Sequence, residues 1–256
     1  MATNGSSSGV VPAIDTTAEP QEPELNPLDA LMQIAAAQQT AEPEPEPEYG
    51  DLPVSEAEYM AAQGAPTATQ QKAIDVYLYP HKTDGTLYSP SQQINYALRE
   101  GVPVPAKYQH VVDGMDSMMH DLGYNLNLTR YDRVGFIKRL LGGITHEGMT
   151  EKQLQDKLLG MKYKDSALVS TSHNDFNNAP PASQKVFKDK TVEIRIKAKS
   201  GTKAMMPGVG GGGNLGEIVL GRNQWFKITG VKMPKGVLGR SGDQWYQKVI
   251  LEVEVG

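Results

Sequence analysis

Apolar positions along the chain change their period near residue 123. Before that point they recur every three to four residues, the spacing that gathers them on one helix face. Gln70–Leu78 reads as a helix that stops before Pro80. Ser89 and Pro90 supply an N-cap and a first-turn proline for Ser91–Glu100. Gly101–Pro105 interrupts the pattern, and Ala106–Leu122 resumes it. Val111, Met115, Met118, Met119 and Leu122 share its apolar face, a methionine stripe that reads as core filling. Beyond Gly123 the runs become strand-like: Asn125–Tyr131, Ala167–Thr171, Thr191–Ala198, Glu217–Leu220, Trp225–Val231 and Trp245–Val255. Val192 to Lys197 alternates apolar and polar strictly, as a half-buried strand does. Asp132–Leu141 and Glu151–Leu159 return to helical spacing, the second capped by Thr150. Trp225 and Trp245, lying in strand-like runs, are assigned to the core. Helices first and antiparallel-looking strands later predict an α+β fold in preference to alternating βαβ units.

Charge and proline content set the N-terminus apart. Residues 1–58 hold twelve Asp or Glu and no Lys or Arg, and nine of the seventeen prolines fall within the first 66 residues. One sign of charge with few aromatics cannot offset the entropy of ordering. Residues 1–68 are therefore expected to be a disordered acidic, Pro-rich arm, and 69–256 one folded domain. Within the arm, Leu28, Leu31, Met32 and Ala35 give 28–40 helical spacing after Asn26-Pro27. That segment is either a docking helix for a partner or a transient helix. Glu42–Glu48 is a stiff, self-repelling spacer, and Ser55–Met60 starts another short helix before the Gly64-Ala65-Pro66 break.

Several function classes lose support from composition. The chain has no cysteine, which excludes disulfides, a thiolate nucleophile and zinc-thiolate sites. Its five scattered histidines show no metal-ligand spacing, so no metal is expected. No apolar stretch approaches the ~20 residues of a membrane span. Met1–Val11 lacks the basic flank and apolar core of a secretory signal, so synthesis in a cytoplasm is expected, with virion association or delivery into a host cell as further settings. The excess of basic residues after position 58 is spread along the chain without an aromatic-basic motif, which argues against nucleic-acid readout.

Three short apolar runs carry the candidate chemistry. Leu126–Tyr131 holds Arg130, Ala167–Ser172 holds Ser170-Thr171-Ser172, and Leu215–Leu220 holds Glu217. A cation, a hydroxyl cluster and a carboxylate on separate strands can line one cleft, and together they suit a ligand with both a diphosphate and a ribose. Upstream, Asn95 and Arg99 are four residues apart and so share one helix face. Taken singly, each has a plainer reading: Arg130 as a surface cation beside Asp132, Ser-Thr-Ser as ordinary β-sequence, Glu217 as a solvated strand start.

In order and flanks these residues resemble the ADP-ribosyltransferase exoenzyme family, of the Arg, Ser-Thr-Ser, Glu class, over roughly Gln70 to Gly256. The matching segments are Tyr88 with Ile94–Arg99, Leu128-Thr129-Arg130, Lys164–Ser172, Gly201-Thr202-Lys203 and Glu217–Leu220. The resemblance implies N-terminal helices packed on two roughly perpendicular antiparallel sheets around an NAD cleft. It implies a mono-ADP-ribosyltransferase that moves ADP-ribose from NAD, its co-substrate, to a protein substrate and releases nicotinamide. Glu217 would be the catalytic carboxylate, steadying the positive charge that develops on the ribose. Arg130 would fork onto the diphosphate. Ser170 would orient Glu217 or the nicotinamide ribose. Asn95, Arg99, Thr171 and Ser172 complete the NAD site, with Phe176 a candidate to stack on nicotinamide. Two positions depart from the family pattern: Leu215 stands where members that modify Arg, Asn or Gln carry Glu or Gln, and Tyr131 where Gly is usual. Met206–Gly213 falls at the family's target-recognition loop. The alternatives are a catalytically degenerate domain kept as a structural or interaction module of a phage or mobile element, and an NAD glycohydrolase.

Overall fold

The computed structural model describes residues 48–78, 89–173, 190–208, 216–241 and 243–256. The segment expected to form the acidic arm up to residue 47, together with Tyr88, Phe176, Asn214 and Leu215, lies outside the described residues.

Six α-helices lie among the described residues: α1 (Glu56–Gln63), α2 (Ala68–Leu78), α3 (Pro90–Glu100), α4 (Gln109–Asp116), α5 (Val134–Leu140) and α6 (Glu151–Leu158). Four start with a reciprocal capping box, in which a hydroxyl at the N-cap and a Glu or Gln three residues on satisfy each other's backbone N–H. The pairs are Ser55 with Glu58, Thr67 with Gln70, Ser89 with Gln92, and Thr150 with Gln153. The helix expected over Ala106–Leu122 is divided. A 3-10 turn (Ala106–Tyr108) precedes α4, the α-helix ends at Asp116, and His120–Asp121 forms strand β1. Gly114 lies in α4 because α2 passes directly over it; a Cβ there would stand 2.5 Å from that of Ala73. The expected stripe still faces inward, with Val111, Met115, Met118 and Leu122 buried.

The strands that follow are β2 (Leu126–Asp132), β3 (Lys162–Asp165), β4 (Val169–Ser172), β5 (Val192–Ala198), β6 (Lys203–Met205), β7 (Glu217–Leu220), β8 (Gln224–Lys232), β9 (Leu238–Ser241), β10 (Gln244–Gln247) and β11 (Val249–Val255). Nine of them form one curled sheet in the order β1-β6-β7-β4-β2-β5-β11-β8-β3, and β9 with β10 makes a separate hairpin. Every pairing is antiparallel except β5 with β11. The join between β2 and β4 is a single residue pair, Thr129 with Ser172. The sheet is thus two halves meeting at a narrow seam. Helices α2, α3 and α4 cover the four-stranded half, packing Ile74, Ile94 and Met115 against Leu168, Met205 and Val219. Helices α5 and α6 cover the five-stranded half, with Phe136, Ile137, Leu154 and Leu158 in one cluster with Ile194, Phe226 and Leu251.

Two expectations are corrected. The folded body begins before residue 69: Tyr59 of α1 is a buried core residue, Gly50 bridges Leu126, and the Gln63 amide pairs with both backbone groups of Met206. A local signature, the Ser55 capping box, sits inside a stretch whose composition reads as arm. Trp225 and Trp245 are 60% and 56% exposed, not core. Successive strand residues face opposite ways, so with Phe226 and Ile228 inward Trp225 points out beside Lys227. Trp245 belongs to the β9–β10 hairpin, because the run expected as one strand breaks at Lys248, whose Nζ reaches Glu193 at 3.2 Å.

Candidate functional site

The site forms at the seam. Where β2 leaves β4, the carbonyl of Ser170 loses a backbone donor, and Arg130 Nη1 supplies one at 3.0 Å. The rest of that guanidinium is steered by Asp132 on the same face of β2, with Nη2 and Nε donating to Oδ2 at 3.0 and 3.3 Å. Burial works against the Arg130 cation, yet the Asp132 carboxylate outweighs it and holds the pKa above its ordinary value. Burial likewise disfavours the Asp132 charge, but Arg130 and the Arg133 backbone N–H keep its pKa low. The pair is charged on both sides.

Glu217 opens β7 directly opposite Ser172 and so shares a face with Ser170. It follows Gly216, whose φ of 56° is a left-handed turn that a side chain would strain. Burial raises the Glu217 pKa, while a hydrogen bond from Ser170 and the charge of Arg130 oppose that rise. The Ser170 hydroxyl also meets Tyr77 of α2, whose pKa burial raises and so keeps its phenol neutral. Asn95 Nδ2 of α3 donates to the Tyr77 oxygen at 2.8 Å. A carboxylate can only accept, which fixes the direction: Asn95 donates to Tyr77, Tyr77 to Ser170, and Ser170 to Glu217. Helix α3 is thereby wired to the carboxylate. Asn95 Oδ1, at the other end, is buried and has no partner among the described residues.

Other candidates are placed as follows. Asn95 and Arg99 both line the cleft from α3. Arg99 grips Asp165 through two bonds of 3.0 Å, and Asp165 also accepts from the Ala167 N–H. Thr171 faces away from Ser170 and donates its hydroxyl to the Ile218 carbonyl at 2.6 Å, so it clamps β4 to β7. Ser172 is buried at the seam. Tyr131 points to the side of β2 opposite Arg130, where Lys248 Nζ sits 5.2 Å from its ring centre. Phe176 and Leu215 lie outside the described residues.

A cleft of about 950 Å³ opens between α3, the Val102–Pro105 loop, the end of β2, α5 and Lys190. That volume is at the upper end for small-molecule pockets. Asn95, Arg99 and Arg130 line it, and Ser170 and Glu217 adjoin it across Arg130. Among the described residues no group of His, Asp and Glu could hold a metal ion. None of their helices is long and apolar enough to cross a membrane. Sequence reasoning missed Tyr77, Asp132 as a steering group, and Asp165. Tyr77 left one signal: a tyrosine at a core position beside Ala73 and Ile74 needs a partner for its hydroxyl.

Residues 55–254 match the family model of the ADP-ribosyltransferase exoenzymes. The chain belongs to this family. No curated protein matches its sequence. Solved structures share the fold. The C3 exoenzyme from Clostridium limosum is 17% identical with a TM-score of 0.55, over 78% of this chain and 90% of that one. The enzymatic component C2-I of the C2-toxin from Clostridium botulinum is 18% identical with a TM-score of 0.56, over 80% of this chain and 48% of that one. The ADP-ribosylating toxin BECa of C. perfringens, solved with NADH, is 15% identical with a TM-score of 0.55, over 78% of this chain and 46% of that one. This chain spans about half the length of C2-I and BECa. The α+β ADP-ribosyltransferase fold is therefore the fold of this chain, and the seam lies where this exoenzyme domain brings Arg130, Ser170 and Glu217 together.

Proposed function

We propose that the chain is a mono-ADP-ribosyltransferase that transfers ADP-ribose from NAD to a protein and releases nicotinamide. The observation that supports this most is the half-buried Glu217 carboxylate, held by Ser170 and facing the Arg130 cation at the seam. In the reaction the bond from ribose C1′ to the nicotinamide nitrogen breaks, and its electron pair leaves with nicotinamide. Positive charge develops on the ribose. Glu217, accepting a hydrogen bond from the ribose 2′-hydroxyl, stabilises that charge in a site with little water to screen it. A nucleophilic side chain of the acceptor then bonds to C1′ and gives up its proton.

Other groups position the donor. Arg130 has N–H donors beyond those it gives to Asp132 and Ser170, and these suit the diphosphate. The orphaned Oδ1 of Asn95 suits a ligand hydroxyl or amine. Arg99 frames the same wall. Thr171 and Ser172 keep the Ser170 strand in register. Synthesis in a cytoplasm and delivery into another cell is the setting this reading implies. One observation favours the degenerate module instead: Arg99 and Arg130 each already hold a carboxylate, Asp165 and Asp132.

Incubation of the full chain with a cell lysate and NAD labelled in the adenylate separates these readings. Transfer predicts labelled protein with the wild type and none with Glu217→Gln, while NAD labelled in nicotinamide labels nothing. Nicotinamide release without protein labelling would make the chain a glycohydrolase. No release and no NAD binding would leave only the module.

A further inference from the structure

We propose that helix α1 positions the catalytic carboxylate: Glu56 and Gln63, at its two ends, hold the chain on either side of β7 and thereby fix where Glu217 stands. This deepens the transferase reading given above and rests on it.

Only one face of α1 turns inward. Glu56, Tyr59, Met60 and Gln63 are buried or half-buried, and the remaining residues of the helix are exposed. The covered positions thus follow the i, i+3, i+4, i+7 spacing of a single helix side. Tyr59 and Met60 supply an apolar middle that packs on the core. Both ends of the face are polar. A helix that merely covered the core would be better served by apolar residues there. Ser55 and Glu58 cap the first turn reciprocally and so fix the direction in which Glu56 leaves it.

Each polar end meets a different neighbour of β7, which lies between β4 and β6 in the sheet. Past the Ser172–Glu217 rung, the His173 N–H donates to the Gly216 carbonyl at 3.0 Å, one residue before Glu217. The His173 side chain is 8% exposed, and its Nε2 donates to Glu56 Oε1 at 3.1 Å, since a carboxylate can only accept. On the other side β6 pairs Ala204 with Leu220 and Met205 with Val219, and the same register carries Met206 beside Ile218. Gln63 accepts from the Met206 N–H at 2.8 Å and donates to the Met206 carbonyl at 3.1 Å. Met60 closes over the chain just beyond, where a Cβ on Gly208 would stand 2.9 Å from its Cε. One helix therefore pins both neighbours of β7 at the end where Glu217 begins it. Gly216 has no side chain to pack and sits at a φ of 56°, so the backbone entering Glu217 depends on these neighbours for its placement. Misplacing a catalytic group by about 1 Å can cost on the order of a hundredfold in rate, so a loosened clamp acts on kcat.

The test is the rate of nicotinamide release from NAD, with NAD affinity measured beside it, for the full chain and its variants. Glu56→Ala and Gln63→Ala should each lower kcat about tenfold or more and change NAD affinity by no more than about twofold. Glu56→Gln keeps an acceptor for His173 and should recover to within about threefold of the parent. Ile228→Val, buried in β8 four strands from β4, should lower the melting temperature and leave kcat unchanged, which separates positioning from loss of stability. In the Glu217→Gln background Glu56→Ala should cost no more than about twofold in residual release, because the group it positions is gone. An unchanged kcat in Glu56→Ala and Gln63→Ala, or an equal fall with and without Glu217, overturns the positioning role and leaves the transferase reading intact. A parent chain that releases no nicotinamide overturns the transferase reading, and the positioning role with it.

Discussion

Replacing Tyr77 by Phe removes one oxygen from the middle of the site and leaves the packing around it in place. Tyr77 is 2% exposed, so the ring stays buried and no cavity opens. Its hydroxyl is the partner of Asn95 Nδ2 at 2.8 Å and meets Ser170 on the other side. In the variant the Asn95 amide, whose Oδ1 already lacks a partner, loses its remaining bond. A buried polar group left unpaired costs about 1–3 kcal/mol, so urea unfolding should show a loss near 2 kcal/mol with an unchanged slope. Chemistry should suffer separately. Ser170 loses the donor that fixes its hydroxyl toward Glu217, and a tenfold fall in kcat corresponds to about 1.4 kcal/mol of lost transition-state stabilisation. A double-mutant cycle with Ser170→Ala, read as nicotinamide release, measures the link. Members of one hydrogen-bond network couple by roughly 0.5–3 kcal/mol. Additive effects, or a Phe variant as stable as the parent, would refute the relay.

Three further outcomes follow from particular contacts. Burial raises the Glu217 pKa above its ordinary 4.5, so the folded state keeps this proton to higher pH than the unfolded state does. That contribution is present below pH 4.5 and lost as pH rises through the raised value. Glu217→Gln should therefore melt higher than the parent at neutral pH, with the gain fading as pH falls through the raised value and gone below 4.5; a variant that melts lower at neutral pH contradicts this. Asp165→Asn leaves Arg99 without its bidentate partner in a pair that is 18% and 7% exposed, and should cost about 3 kcal/mol in urea unfolding. A chain starting at residue 67 loses buried Tyr59 and the Gln63–Met206 pairing, and should unfold more easily than one starting at 47 by at least about 3 kcal/mol.

Local signals made much of the fold legible. Ser89-Pro90 and Thr150 mark helix starts because capping is settled within four residues, and Glu217–Leu220 is a strand with the expected bounds. Short pieces escaped: β1, β3, β6 and β9 have two to four residues, too few to show a period. The turn at Ser117 ends a helix whose apolar spacing runs on to Leu122, because spacing does not register where a backbone turn stops the helix. The two tryptophans read as core because hydrophobicity alone does not say which face of a strand is covered. At the site, Arg130, Ser170 and Glu217 stand out as polar groups in apolar runs, and sheet register brings them together. Their supports do not stand out. Tyr77 lies 18 residues from Asn95 and meets Ser170 only once α2 packs on β4, and the bond of Asp165 to Arg99 spans 66 residues.

The Glu217 carboxylate, held by Ser170 beside Arg130, is the group proposed to stabilise a ribose losing nicotinamide. The most direct measurement is the rate of nicotinamide release from NAD by the full chain and by Glu217→Gln, with NAD affinity measured on both. In Glu217→Gln, kcat should fall about a hundredfold or more, with NAD affinity nearly unchanged. Release that persists at the parental rate in Glu217→Gln would contradict it.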